Sequence, residues 1–333
     1  MVPFEWMREL VGRTLPGGSF ELEHYRNWLT NDVLGSPQRN DDLAHPMFCY
    51  YATIGGMGLS IAELFELAHS SAEDGPMFGE CDMEVRLPLR TGTTYEVRGE
   101  ITDVKRKQGG AIGTFDLLTF RLEVLSPGGA VAGACTNSFI FPRQAVSGDH
   151  ARSVVPPEPS ATGTDPPSGR GDHPAASTAA VPTAAVPTAA VPTALARRRV
   201  AVGDELPERI IESVSAEKMK TMAALLGDPN SIHWDTDALR RLGLGERPVN
   251  QGPNNMGYVV DMLADWAGGP EGFRRLKVRF AGNVFAGDRL VAGGRVTATR
   301  PCPEGQLVDC EVWLTRDGAE TVLTGTATVS LAS

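Results

Sequence analysis

Apolar and polar positions along the chain follow two periods, one helical and one typical of strands, and their order repeats. In the first part, two short helical segments within residues 4–34 precede a mostly apolar stretch over 47–67 that is rich in glycine and alanine. Such small side chains let a helix pack closely against a sheet, so we expect one long buried helix there. Four segments rich in β-branched residues then predict an antiparallel meander: 81–89, 94–104, 115–125 and 131–141.

The same order returns after Val200. Apolar residues spaced by three and four positions predict a helix that begins after Ser215 and stops at Gly227. A short helix is predicted from Asp235 to Leu242, with Asp235 as its cap and Gly243 at its end. A longer helix runs to about Trp266 before two glycines. Four further strands are predicted: 276–280, 290–299, 307–315 and 321–331.

Short sequence matches indicate that the second part is a copy of the first. Glu84–Leu87 parallels Lys277–Phe280, and a Gly-to-Gly interval of seven residues follows in both parts. An internal duplication of this kind predicts two copies of one fold that pack as the subunits of a homodimer would, giving a pseudo-dimer within one chain.

The segment 144–199 differs in composition from both copies. It is rich in Pro, Ala, Ser, Thr and Gly, and it repeats Ala-Ala-Val-Pro-Thr three times over 179–193. Proline at this density removes backbone donors and blocks helix and sheet, so we expect a disordered linker. The predicted organisation is therefore an N-terminal domain over 1–143, the linker, and a C-terminal domain over 200–333.

Composition and charge narrow the functions that this architecture can serve. The chain has 333 residues, 41% of them hydrophobic, and a net charge of −10, which argues against a nucleic-acid or anionic-membrane partner. Its five cysteines include no C-x-x-C pair, which favours reduced thiols over disulfides or a zinc site. Since the sequence has neither a signal peptide nor an apolar run of roughly 20 residues, we expect a cytoplasmic protein without a membrane partner.

The candidate chemistry lies on the Gly/Pro/Asn-rich turn over Leu226–Asp235, between two predicted helices. It places Asp228 and His233 five residues apart. A turn can direct both side chains at one point, where a carboxylate and an imidazole that share a water can exchange protons near neutral pH. The spacing alone is more typical of a turn-capping aspartate and a structural histidine.

The string Gly-Asp-Pro-Asn-Ser-Ile-His-Trp-Asp over 227–235 resembles the G-D-x-N-P-[ILV]-H-x-D signature of MaoC-like, (R)-specific enoyl-thioester hydratases and dehydratases. The resemblance continues through Pro248, Val278–Phe280 and Phe285–Asp288 and covers essentially all of 200–333. The N-terminal part looks like the partner domain of double hot-dog members. Two positions depart from the signature: Ser231 stands where the family usually has proline, and Gln251 stands where it has histidine before the helix glycine.

The resemblance implies an α+β double hot-dog fold, in which each copy wraps an antiparallel sheet around a long helix. It also implies a hydro-lyase that interconverts (3R)-3-hydroxyacyl and trans-2-enoyl thioesters. Asp228 and His233 would be the catalytic acid–base pair, and the Gly252 N–H would form the oxyanion hole. Asn230, Ser231 and Gln251 would support the site, Asn230 by fixing the turn and Gln251 by its place beside the thioester.

The implied reaction needs no metal and no redox cofactor, because the carrier thioester, on CoA or acyl-carrier protein, supplies the activation. We expect the N-terminal copy to be catalytically silent and to line the acyl channel with residues of its central helix: Phe48, Tyr50, Tyr51 and Met57. The alternatives are a non-catalytic acyl-thioester-binding protein and a thioesterase. The sequence leaves open the carrier, the acyl chain length, the direction of reaction, a further homodimer, and the choice between fatty acid metabolism and polyketide biosynthesis.

Overall fold

The computed structural model describes residues 2–109, 112–143, 200–241, 245–303 and 305–332, so the predicted linker lies outside the described residues. The N-terminal copy contributes five strands: β1 (Gly18–Leu22), β2 (Met77–Val85), β3 (Thr93–Gln108), β4 (Thr114–Leu125) and β5 (Val131–Pro142). The C-terminal copy contributes another five: β6 (Arg209–Ile211), β7 (Phe273–Phe280), β8 (Leu290–Cys302), β9 (Gly305–Arg316) and β10 (Glu320–Ala332).

These strands form one antiparallel sheet in the order β1-β3-β4-β5-β2-β7-β10-β9-β8-β6. The order of the first five strands is repeated in reverse by the last five, so the two copies meet where β2 pairs with β7. Cys81 lies opposite Val278 in this pairing, and Asp82 accepts hydrogen bonds of 2.6 and 2.8 Å from Arg275. The predicted duplication and the pseudo-dimer within one chain are confirmed.

Seven α-helices are described: α1 (Phe4–Arg8), α2 (His24–Leu34), α3 (Phe48–Gly55), α4 (Ile61–Leu67), α5 (Ala216–Leu226), α6 (Thr236–Arg241) and α7 (Gly252–Ala267). The central helix of the C-terminal copy is α7, which is buried on almost every side. It ends at Gly268, whose left-handed conformation (φ 86°) closes the last turn as the sequence predicts. The prediction that the short helix ends at Leu242–Gly243 lies outside the described residues.

The prediction of one continuous helix over 47–67 is wrong, because two helices form there. Helix α3 ends at Gly55, the chain turns through Gly58 (φ 79°), and Ser60 begins α4 with a capping box to Glu63. A Cβ atom at Gly58 would lie 2.4 Å from the Gly17 carbonyl oxygen, so two backbone segments meet here too closely for any side chain. The apolar pattern does not reveal this break.

The second of the two helical segments expected within residues 4–34, which the pattern places over 20–34, also differs from the structure. Residues 18–22 form the edge strand β1, paired with Thr93–Val97, and α2 begins only at His24. Strands β1 and β6 are both short and partly exposed, so they lack the apolar alternation by which the longer strands were predicted. No helix among the described residues is long and apolar enough to cross a membrane.

Candidate active site

The turn after α5 is held by a series of backbone contacts. Gly227 adopts the left-handed conformation (φ 60°), and the Asp228 N–H donates to the Ala223 carbonyl at 3.0 Å. The Asn230 N–H then donates to Asp228 Oδ1 at 3.0 Å, and Asn230 Oδ1 accepts from the Ile232 N–H at 3.4 Å. These bonds orient the Asp228 carboxylate and lead into one turn of 3₁₀ helix over Ser231–His233.

Ser231 is the first residue of this 3₁₀ turn. Its carbonyl accepts hydrogen bonds from the Trp234 and Asp235 N–H groups at 3.1 and 2.8 Å. Asp235 in turn accepts from the Asp237 N–H at 2.8 Å and so caps α6, as expected. Serine therefore forms the turn without the fixed φ of proline.

His233 is buried, with 6% of its surface exposed, and its Nδ1 lies 2.6 Å from the Val249 carbonyl oxygen. Because a carbonyl can only accept, Nδ1 carries the proton, and in the neutral ring Nε2 is left as an acceptor. This Nε2 lies 3.3 Å from Asp228 Oδ2. Two acceptors that face each other at this distance hold either a shared proton or a water that donates to both.

Gly252 is the first residue of α7, which runs for 16 residues. Its N–H has no partner within the helix, and the helix dipole adds partial positive charge at this end. A Cβ atom here would lie 3.0 Å from Phe78 and 3.4 Å from Phe280, so the two rings close over the glycine. Pro253 follows and has no N–H, which leaves Gly252 as the donor of this pair.

A cavity of about 410 Å³ joins these groups. Asp228, His233 and Gly252 form part of its wall in the C-terminal copy. The facing wall is apolar and comes from the N-terminal copy: Tyr50, Ile54, Ile61, Phe65, Phe78 and Phe139. Burial raises the pKa of the Tyr50 phenol, and the Asp228 carboxylate adds a smaller effect in the same direction, so the phenol stays neutral.

The four helix residues that we expected to line an acyl channel divide between different places. Tyr50 lines the cavity that contains Asp228 and His233. Phe48 and Tyr51 line a neighbouring cleft of about 550 Å³, and Met57 is fully buried in the core. The wall is instead completed by α4, which belongs to the same predicted helical stretch, and by strands β2 and β5.

Gln251 precedes α7 and is almost fully buried. Its Nε2 donates to the Met219 carbonyl at 2.8 Å, and its Oε1 accepts from Asn254 Nδ2 at 3.0 Å. The side chain thus joins α7 to α5. Sequence reasoning missed the buried amides Asn250, Asn254 and Asn255 around it; the run of polar residues at the start of an apolar helix was the available signal.

The N-terminal copy has a structural equivalent of Asp228. Helices α2 and α5 both span 11 residues and end at a left-handed glycine followed by a polar residue and proline. The Ser36 N–H donates to the Asn31 carbonyl at 2.8 Å, which repeats the bond that Asp228 makes in the other copy. Ser36 therefore occupies the position of Asp228. The repeat of Leu-Gly-Ser-Pro and Leu-Gly-Asp-Pro is visible in the sequence and was overlooked.

Ser36 takes part in a buried charged cluster that joins the copies. Its hydroxyl donates to Asp261 of α7 at 2.7 Å, and Asp261 also lies 2.8 Å from His45 Nε2 and 3.0 Å from Arg209. The Met47 N–H donates to His45 Nδ1 at 3.1 Å, so Nε2 carries the proton that Asp261 accepts. His45 is thereby committed to a contact between the copies.

Metal ligands do not gather at this site. Within the part of the chain that the structure describes, no three His, Cys, Asp or Glu side chains come together as a metal-binding group.

Comparisons with known proteins concern the C-terminal sequence and the fold. Residues 199–315 match the family model described as MaoC like domain. A solved structure named MaoC-like dehydratase has a TM-score of 0.66 at 17% identity, with 98% of this chain and 100% of the other covered. A MaoC-like dehydratase from Phytophthora capsici has a TM-score of 0.61 at 15% identity, with both chains fully covered. A Mycobacterium tuberculosis protein described as having a double hotdog fold has a TM-score of 0.62 at 15% identity, with 96% of each chain covered.

A comparison of the sequence with curated proteins found no match. The fold is an α+β double hot-dog, as the resemblance implied. The match to the MaoC like domain model lies in the C-terminal part of the chain.

Proposed function

We propose that the protein is a hydro-lyase that interconverts (3R)-3-hydroxyacyl thioesters and trans-2-enoyl thioesters at Asp228 and His233. The observation that carries the proposal is the 3.3 Å approach of Asp228 Oδ2 to His233 Nε2 in a cavity whose opposite wall is apolar. That arrangement offers two acceptors for one water beside space for an acyl chain.

In the direction of hydration, the pair would hold a water over C3 of the enoyl thioester. His233 Nε2 and Asp228 Oδ2 accept the two protons of this water in hydrogen bonds, and the pair takes up one proton as the oxygen adds to C3. The pair then supplies one proton to C2, so that H and OH have been added across the double bond. Dehydration follows the same steps in reverse.

The electrons of the double bond move toward the thioester carbonyl during addition, and this oxygen becomes negative. The Gly252 N–H at the start of α7 would stabilise it, because the helix end supplies a fixed donor and partial positive charge. The cavity wall from the N-terminal copy would bind the acyl chain, at about 0.8 kcal/mol for each buried CH₂ group. The N-terminal copy is proposed to take no part in proton transfer, since Ser36 stands in place of Asp228.

We propose that the carrier thioester alone activates the substrate and that the reaction uses no cofactor. The carrier is CoA or the phosphopantetheine arm of an acyl-carrier protein, since both present the same thioester. Comparing turnover of matched acyl groups on the two carriers would separate them.

The test is to follow the enoyl-thioester absorbance with short and medium acyl-CoA substrates. We expect Asp228→Asn and His233→Ala each to lower the rate by about 10² to 10⁴-fold, which is the usual contribution of a general acid or base. Asp235→Asn is the matched control, because Asp235 lies in the same turn but caps α6.

Unchanged rates in the Asp228 and His233 variants would remove the proposal. Release of free thiol without loss of the enoyl group would identify a thioesterase. Saturable binding of the enoyl thioester with no addition of water by the wild-type protein would identify a non-catalytic binding protein.

A further inference from the structure

A chain of four buried amides runs from α5 to the cavity, and its direction is fixed at one end. The Met219 carbonyl can only accept, so Gln251 must present Nε2 to it, at 2.8 Å. Gln251 Oε1 is then an acceptor, and Asn254 must present Nδ2, at 3.0 Å. The orientation of both amides therefore follows from the Met219 backbone carbonyl.

The same reasoning continues to the cavity. Asn254 Nδ2 also donates to Asn250 Oδ1 at 3.0 Å, which turns Asn250 Nδ2 toward Asn255, whose Oδ1 accepts it at 2.8 Å. Both hydrogens of the Asn254 amide are donated, and its Oδ1 is buried without a partner among the described residues. The last amide in the series must point its Nδ2 away from Asn250.

Asn255 lines the cavity with Asp228, His233 and Gly252, and 3% of its surface is exposed. Its Nδ2 has no acceptor among the described residues, and this atom is not fully enclosed by the protein. This NH₂ group therefore opens onto the cavity. An oriented donor in a buried wall is stabilised only when something accepts from it, so the structure points to a ligand acceptor at this place.

We infer that Asn255 Nδ2 is a second donor, beside the Gly252 N–H, to the carbonyl oxygen of the bound thioester. Gly252 and Asn255 are three residues apart on the first turn of α7 and so lie on the same face of the helix. The inference rests on the proposed function. It gives Gln251 a role as a positioning residue, because Gln251 transmits the orientation set by Met219 to the donor at the other end.

The kinetic test compares two variants that remove the donor in different ways. Asn255→Asp retains an acceptor for Asn250 Nδ2 and a nearly identical shape, whereas Asn255→Leu removes both polar atoms without adding charge. Loss of one oxyanion donor lowers kcat by about 10² to 10³-fold, so we expect losses of that order in both, with KM much less affected. Unchanged kcat in Asn255→Leu would overturn the inference.

A spectroscopic test is independent of turnover. In the Asp228→Asn background, a bound enoyl thioester labelled with ¹³C at the carbonyl should show its C=O stretch at lower frequency than in water. Adding Asn255→Leu should move the band back toward the free value. A thioether analogue, which lacks the carbonyl, should bind equally well with Asn255 or with the leucine replacement.

The outcomes separate the two proposals. If the Asp228→Asn protein binds the enoyl thioester and the carbonyl band does not respond to Asn255→Leu, only the role of Asn255 is wrong. If neither wild type nor Asp228→Asn binds or converts enoyl thioesters, the proposed function fails, and the inference fails with it. Equal loss of thioether and thioester binding in Asn255→Leu would show a structural role and also overturn it.

Discussion

Single residues in the candidate site are placed by backbone groups. The Asn230 N–H holds Asp228 Oδ1, and the Val249 carbonyl holds His233 Nδ1. Asp228 Oδ2 and His233 Nε2 are the atoms left facing each other, at 3.3 Å. Since each side chain is fixed independently, a change in one should leave the other in position.

Asp228→Ser introduces the residue that the N-terminal copy carries at the equivalent position. Its hydroxyl can still accept from the Asn230 N–H, but it cannot take up a proton from water near neutral pH. We expect hydratase activity to fall by about 10² to 10⁴-fold with little change in the midpoint of thermal unfolding. Parallel rate and calorimetric measurements check this. A large drop in that midpoint would show that the carboxylate mainly stabilises the fold.

Gly252→Ala tests the close packing of the Phe78 and Phe280 rings against the start of α7. The new Cβ would lie 3.0 Å from Phe78, so the ring must shift where the thioester is proposed to bind. We expect kcat/KM to fall by about tenfold or more. Gly282→Ala is the control, because Gly282 lines the same cavity but its Cβ would make ordinary contacts of 3.5 Å. Equal effects of the two variants would contradict the prediction.

At the scale of elements, two ion pairs that share the buried Asp116 join the ends of three strands. Asp116 of β4 is fully buried and lies 2.7 Å from Arg106 of β3 and 2.7 Å from Arg143, which follows β5. Burial alone would raise the pKa of Asp116, but hydrogen bonds from both guanidinium groups outweigh it and lower the pKa below its ordinary value. Arg143 also donates to the carbonyls of His69 and Ala68, so this cluster fixes the chain after α4.

We expect Asp116→Asn to cost about 3–5 kcal/mol of unfolding free energy at neutral pH, because it leaves Arg143 buried without a counter-charge. A carboxylate whose pKa is lowered in the folded state stabilises the fold fully at pH values above its pKa in the unfolded state. This stabilisation is lost as the pH falls through its pKa in the folded state. Urea unfolding at a series of pH values should therefore show that the free energies of unfolding of wild type and Asp116→Asn approach each other only below about pH 4. A difference independent of pH would contradict this.

Most of the helices and strands could be predicted from the sequence, but not all of them. Helix ends marked by Ser215 and Gly227, and eight of the ten described strands, follow from capping residues and apolar alternation. The break at Gly58 depends on contact with Gly17, which is distant in sequence, and the short strands β1 and β6 have too few buried positions to show a period. The roles of Gln251 and Asn255 depend on which way each amide faces, and spacing cannot indicate that.

At the scale of the whole molecule, the copies share one sheet and one charged cluster. The described residues of the two copies form a single compact unit. The pairing of β2 with β7 provides its backbone connection, and the contacts of Asp261 with His45 and Ser36 connect the buried helices. The copies should therefore unfold together.

Asp261→Leu tests this connection. It leaves His45 without an acceptor and Arg209 without its nearer carboxylate, so we expect a loss of about 3 kcal/mol. Asp265→Asn is the control, since this more exposed partner of Arg209 should contribute no more than about 1 kcal/mol. Denaturant unfolding followed by fluorescence and circular dichroism should give coincident transitions in both variants. Two separate transitions would show that the copies are independent.

The interruption between α3 and α4 has a consequence for how the substrate range can change. An unbroken helix would carry residues 61–67 straight onward at 1.5 Å per residue, whereas the turn through Gly58 lets Ile61 and Phe65 join Ile54 in the cavity wall. The size of the pocket is thus set by a connection in the copy that lacks the Asp228 carboxylate. Insertions, deletions and substitutions there can adapt the proposed acyl pocket to longer, shorter or branched chains while the proposed proton-transfer groups remain unaltered.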